Sequence, residues 1–254
     1  MFKKIFIAAM CLIFFFGIAE SRTVLPKPSA ETEFVQALPK HKHNSNCKKT
    51  TAEPVQIICI LDRSGSMSPV VEDTIGGYNS FLAKQKENSG AAEVTTVLFD
   101  NLYEKIADAV NLQEIAELTS DEYYARGTTA LLDAIGMTIT ETLGKMESEK
   151  ICPEKRRVLV MIMTDGLENA SREYNKATVK SLIEMTTKNY KWNYIFLGAN
   201  MDSVSEASKL GISSKHAANF EHDSEGVERS FDMMSKAAED VRNDGAVDED
   251  WSNK

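Results

Sequence analysis

The chain has 254 residues, 43% apolar and 26% charged, an ordinary globular balance with room for one sizeable domain or two small ones. Its net charge of −9 is uneven: the first 54 residues carry eight Lys/Arg and four Asp/Glu, leaving −13 on the remainder. So acidic a body argues against nucleic acid as the main partner, because phosphate backbones need Lys/Arg neutralisation. It argues equally against an anionic membrane surface.

Residues 1–19 read as a signal peptide. Lys3 and Lys4 form a basic start, Ile5 to Ala19 is an uncharged apolar run, and Gly17-Ile18-Ala19 offers small residues for cleavage before Glu20. The run is short beside the ~20 residues of a membrane span. The expectation is an exported protein, periplasmic, at the cell surface or secreted. The alternatives are a cytoplasmic protein, or one anchored by residues 5–19. Residues 20–54 form a basic spacer broken by Pro26, Pro28, Pro39 and Pro54. His41, His43 and Cys47 fit no zinc spacing, and the intervening lysines repel a cation, so a solvated linker is the better reading. After cleavage Cys47, Cys59 and Cys152 remain. Cys59 reads as a core residue, and a Cys47–Cys152 bridge is left open.

From Val55 the pattern becomes that of a folded domain, residues 55–242. Val55–Leu61 is a near-continuous apolar run, as in a strand buried on both faces. Asp62-Arg63-Ser64-Gly65-Ser66 follows. Pro69 suits a first helical turn, and Val70, Ile75, Tyr78, Phe81 and Leu82 recur at helical spacing. Gly76-Gly77 inside that helix suggests close packing on the sheet, and Asn88-Ser89-Gly90 ends it. Val94–Phe99 is a second strand, and Tyr103–Val110 an edge strand in a hairpin with it. Residues 111–126 allow one or two helical turns. Ala130–Lys150 is a strong helix, Val158–Met163 the most apolar strand, and Asn175–Lys188 a helix. Trp192–Gly198 is a strand, Ser203–Leu210 a short helix, His216–Phe220 a final edge strand, and Gly226–Arg242 a closing helix. Met233-Met234 reads as core filling, and residues 243–254 as a polar tail. Strands alternating with helices predict an α/β fold with a doubly wound, mainly parallel sheet and right-handed crossovers.

Three polar clusters then fall at the ends of elements. Asp62, Ser64 and Ser66 follow the first strand, Thr129 opens the long helix, and Asp165 follows the most apolar strand. In a doubly wound sheet the first and fourth strands are neighbours at the switch point, so their carboxyl ends share a crevice. Each cluster has a plain alternative: a polar turn at Asp62, a helix cap at Thr129, a turn at Asp165-Gly166. Taken together they suit a metal. Two carboxylates in one crevice repel, a divalent cation removes the conflict, and hydroxyls add neutral hard oxygen fitting Mg²⁺, with Mn²⁺ or Ca²⁺ as alternatives.

Asp-x-Ser-x-Ser, a distant Thr, and Thr164-Asp165-Gly166 after an apolar strand resemble the metal-ion-dependent adhesion site of von Willebrand factor type A domains. Gly127-Thr128-Thr129-Ala130-Leu131-Leu132 is similar to the middle motif as bacterial members write it. Thr129, directly before Ala-Leu, aligns with the ligand threonine; Thr128 stands where many members have Gly and is the alternative. Many similar bacterial proteins are cytoplasmic, and the apolar N-terminus departs from that pattern. The resemblance implies a six-stranded sheet with one antiparallel edge strand and helices on both faces. It implies that Asp62, Ser64, Ser66, Thr129 and Asp165 hold the ion while a partner protein's Asp or Glu fills an open position. It implies binding rather than catalysis.

Two other readings compete. A metal-dependent hydrolase or phosphatase would need a base or nucleophile. No His lies near the three motifs in sequence, Glu168 is the only spare carboxylate and reads as a solvated loop residue, and no phosphate-binding loop is present. A metal-stabilised structural module would keep its partner surface elsewhere.

Overall fold

A computed structural model describes residues 53–152 and 155–252. The signal and linker readings, with His41, His43 and Cys47, lie outside the described residues. Six strands make one sheet: β1 (Val55–Asp62), β2 (Ala92–Phe99), β3 (Tyr103–Asn111), β4 (Val158–Thr164), β5 (Asn193–Gly198) and β6 (Ala217–Asn219). Their order is β3-β2-β1-β4-β5-β6, all parallel except the β2–β3 hairpin. The doubly wound α/β expectation holds, with its one antiparallel edge strand.

Every residue of β1 and β4 is buried, which is why these segments read as near-continuous apolar runs rather than alternating ones. Successive side chains point to opposite faces. Ile57, Cys59 and Leu61 face one layer of helices, α1 (Val71–Glu87) and α5 (Ser224–Asn243). Ile58 and Ile60 face the other, formed by α2 (Leu131–Ser148), α3 (Lys176–Tyr190) and the short α4 (Ser203–Lys209). Each fully buried Ile or Leu contributes ~1.5–3 kcal/mol, so both faces of the central strands are strongly fixed in register. Cys59 is free and buried, while Cys152 is disulfide-bonded.

Four expectations change. Pro69 sits in a 3-10 turn, Gly65–Val70, that precedes α1 rather than in its first turn. Of the two glycines in α1, Gly76 meets nothing, and Gly77 lies against the Phe231 ring of α5, not against the sheet. Residues 112–130 contain no helix; they form an irregular strap pinned by buried Leu112, Ile115, Leu118 and Tyr123. Apolar spacing there records burial without helical geometry. Finally, the polar stretch after α5 returns to the domain: Val247 and Trp251 are buried, and the Trp251 indole N–H donates to the Lys215 carbonyl at 2.8 Å.

Candidate metal centre

Parallel pairing of β1 with β4 sets Leu61 opposite Met163, so Asp62 and the Thr164-Asp165 turn emerge side by side at the carboxyl edge of the sheet. The Asp62 turn is held from both sides. Arg63 N–H donates to Phe99 at the end of β2 (2.8 Å), and Gly65 N–H donates to the Gly127 carbonyl (3.1 Å). The Tyr123 hydroxyl donates to the Asp62 carbonyl. Gly127 has φ +68°, and a Cβ there would stand 2.1 Å from Asn101 Oδ1, so only glycine fits.

The five expected residues converge. Asp62 Oδ1 accepts from Ser64 N–H at 2.7 Å, and Asp62 Oδ2 from the Thr164 hydroxyl at 2.6 Å. Ser66 donates to Asp165 Oδ1 at 2.7 Å, and the Ser64 and Ser66 hydroxyls lie 3.1 Å apart. Thr129 Oγ1 borders the same space: a Cβ on Gly166 would stand 3.2 Å from it and 3.7 Å from Ser66 Oγ. Asp62, Ser64, Thr129 and Asp165 are buried; Ser66 is exposed, so the cluster opens to solvent on that side. Thr128 is exposed.

The plain alternatives fit less well. Neither Ser64, at the start of the 3-10 turn, nor Thr129, beside α2, caps anything: the residue in the α2 cap position is Ala130, and no side chain bonds either terminus from that position. The capping of α2 falls instead to Glu168, whose carboxylate accepts from Leu132, Ala170 and Ser171 N–H groups at 2.9, 2.9 and 2.7 Å. Thr129 and Asn169 are tied reciprocally, Thr129 N–H to Asn169 Oδ1 at 2.9 Å and Asn169 N–H to the Thr129 carbonyl at 3.0 Å. These bonds fix the Thr129 and Asp165 loops against each other. The expectation of a solvated Glu168 is thus corrected: sequence showed a loop carboxylate, and only the fold shows the helix terminus beside it.

Burial pushes the Asp62 carboxyl up to about 6; bonds from Thr164 and Ser64 pull it down, and the Asp165 charge pushes it up. Asp165 Oδ2 is buried and accepts no hydrogen bond. An orphaned carboxylate oxygen in a buried cluster of hydroxyls calls for an explanation, and a cation supplies one. The donor set is hard oxygen and fits a divalent ion. Among the described residues no three His, Cys, Asp or Glu gather into a metal-holding group, so an ion here depends on the hydroxyls.

The roles of three residues at this site were not read from the sequence. Thr164 braces Asp62, and its place at the strand end was the available signal. Arg63, almost fully buried, donates through Nε to Asp100 at 3.0 Å and pairs with Glu104, while Arg126 Nε donates to the same Asp100 oxygen at 2.7 Å. His222 comes from the turn between β6 and α5 and puts Nε2 3.1 Å from Asp165 Oδ2. Remoteness of every His in sequence therefore does not carry over to space. The edge-strand reading of residues 216–220 ends two residues before His222, and that strand end was the available hint.

No protein-family model matches the sequence, and no curated protein matches it. Solved structures do. A von Willebrand factor type A protein from Catenulispora acidiphila shares 15% identity with a TM-score of 0.52, over 74% of this chain and 43% of its own. Proximal thread matrix protein 1 of the mussel byssus, solved with a zinc-occupied metal-ion-dependent adhesion site, shares 12% with a TM-score of 0.52, over 73% and 48%. The von Willebrand factor domain of the type V pilus tip protein of Porphyromonas gingivalis shares 10% with a TM-score of 0.55, over 78% and 99%. The chain spans less than half the length of the first two. At these identities the likeness concerns architecture alone, and the architecture is that of a von Willebrand factor type A domain.

Proposed function

We propose that residues 55–242 form a divalent-metal-dependent protein-binding module. Ser64, Ser66 and Thr129 offer hydroxyl oxygens, and Asp62 and Asp165 offer the charge, directly or through water. Mg²⁺ is the first choice of ion, with Mn²⁺ or Ca²⁺ as alternatives. The ion supplies a positive charge that an Asp or Glu of the partner completes. The observation that carries this reading is the buried, unbonded Asp165 Oδ2 beside hydroxyls that serve no capping role.

The rim supports it. The exposed large hydrophobic residues among those described, Leu102, Tyr124, Leu167 and Val204, all lie on segments at the carboxyl edge of the sheet, around the site. Exposed apolar side chains beside a charged anchor would offer contact area to a protein partner. The pilus tip and thread matrix proteins that share the fold agree with an adhesive or assembly role. Binding is favoured over hydrolysis because Glu168, the spare carboxylate, has both oxygens taken by N–H and hydroxyl donors.

Export fits Lys3-Lys4 and the Ile5–Ala19 run, and the bonded Cys152 suits an oxidising compartment. Among the described residues no helix is long and apolar enough to cross a membrane.

The test combines two measurements. Saturating Mg²⁺ or Mn²⁺, at about a hundred times Kd, should stabilise the metal-stripped chain by ~2.7 kcal/mol, read as a rise in Tm. Partners retained from the cell envelope should elute with EDTA and be lost with Asp165→Ala. A defined partner that binds equally with EDTA and to Asp165→Ala would refute the reading.

A further inference from the structure

The turn carrying His222 is firmly placed. Phe220 N–H donates to the Gly198 carbonyl at 3.0 Å, and Asp223 caps α5 through Gly226 N–H at 2.8 Å. A Cβ on Gly226 would stand 1.9 Å from the Glu221 carbonyl, so the turn lies directly on the first residues of α5. The imidazole is mostly buried, 16% exposed, and its Nε2 is wholly buried.

Its contact with Asp165 is close but is not a hydrogen bond. Nε2 and Oδ2 stand 3.1 Å apart, an ion-pair distance, yet neither atom makes a hydrogen bond. Two buried polar atoms without hydrogen bonds are costly. The distance has another meaning. Two ligands at about 2.1 Å from one ion, at right angles, are separated by about 3 Å, and their donor directions converge on the ion rather than on each other.

Resting on the metal reading above, we propose that His222 is a further ligand of the ion held by the Asp62, Ser64, Ser66, Thr129 and Asp165 cluster, with Nε2 beside Asp165 Oδ2. Imidazole nitrogen suits zinc and its transition-metal neighbours, whereas Mg²⁺ and Ca²⁺ take oxygen. The consequence is a site at which His222 strengthens the binding of Zn²⁺ or Co²⁺ more than that of Mg²⁺. Ligation requires the tautomer with its proton on Nδ1.

The experiment titrates the metal-stripped full chain with Mg²⁺, Zn²⁺ and Co²⁺, each alone, by calorimetry, and records the visible Co²⁺ spectrum. Variants are His222→Ala, His222→Asn and Ser66→Ala. The expected result is a loss of at least about tenfold in Zn²⁺ and Co²⁺ affinity for both His222 variants, with an altered Co²⁺ spectrum. Their Mg²⁺ affinity should fall by less than their Zn²⁺ affinity, and urea unfolding of the metal-free variants checks that they fold. Unchanged Zn²⁺ affinity in His222→Ala would overturn the proposal. So would equal weakening of Mg²⁺ and Zn²⁺, which would make His222 a support for Asp165 and not a ligand. If the parent binds none of the three ions, or Ser66→Ala binds all three like the parent, the metal reading itself fails. A Ser66-sensitive but His222-insensitive site defeats this inference alone.

Discussion

Asp62→Asn should stabilise the metal-free protein while abolishing its response to metal. Burial raises the Asp62 carboxyl from 3.8 to about 6. Each pKa unit corresponds to ~1.4 kcal/mol, so ionising Asp62 in the fold costs about 3 kcal/mol relative to the unfolded chain. The sign follows from linkage. Between the two values the folded state holds the extra proton, so this contribution to stability is complete below about pH 4 and is lost as pH rises through about 6. Asparagine fits the same bonds. Its carbonyl accepts from Ser64 N–H, and its amide donates to Thr164 Oγ1, whose proton can turn to the Gly166 carbonyl 3.1 Å away. In EDTA at pH 7.5 the variant should therefore gain up to about 3 kcal/mol, or ~6–12 °C in Tm for a domain of this size. At pH 4 the gain should vanish. Urea unfolding of parent and variant across pH 4–7.5 measures the difference directly, and other titrating groups cancel in it. Added Mg²⁺ or Mn²⁺ should stabilise only the parent. A variant less stable than the parent in EDTA at pH 7.5, or a difference that does not change with pH, would refute the reasoning.

Thr129→Val should remove the metal-induced rise in Tm, whereas Thr128→Val should keep it, because only Thr129 Oγ1 borders Gly166 and Ser66; thermal melts with and without Mn²⁺ separate the two. Asp100→Ala leaves the buried Arg63 guanidinium without its main counter-charge and should cost ~3–5 kcal/mol, read from the urea midpoint. The adjacent glycines of α1 should respond with opposite signs. Gly76→Ala meets nothing and should stabilise by up to ~1 kcal/mol, while Gly77→Ala drives a methyl to 2.2 Å from the Phe231 ring and should destabilise by ~1–3 kcal/mol. Equal effects at the two positions, in denaturant unfolding, would contradict this account of the α1–α5 contact.

The features legible from sequence were those with local physical causes. Val55–Leu61, with only Gln56 polar, and Val158–Met163 are nearly or wholly apolar because both faces of a central strand are buried, which marks them as central strands of a parallel sheet. Leu131, Leu132, Ile135 and Ile139 repeat at helical spacing because α2 presents one stripe to the sheet. Asp62, Ser64 and Ser66 stand out because a carboxylate and two hydroxyls follow an apolar strand directly, where the chain turns at the edge of the sheet. By contrast, Leu112, Ile115 and Leu118 have helical spacing without a helix; their burial comes from a strap laid over the core, and spacing cannot distinguish the two.

The sequence by itself determined the order of elements and the winding of the sheet, since both follow from burial period and chain order, and it marked five oxygen-bearing residues by their places at element ends and their resemblance to a known motif. Only the tertiary structure decided what surrounds them. Glu168 proved to be a cap because the start of α2 lies against its loop, and His222 became a neighbour of Asp165 because β6 closes the sheet on that side. Such contacts join loops far apart in the chain, and no local periodicity records which loops will meet.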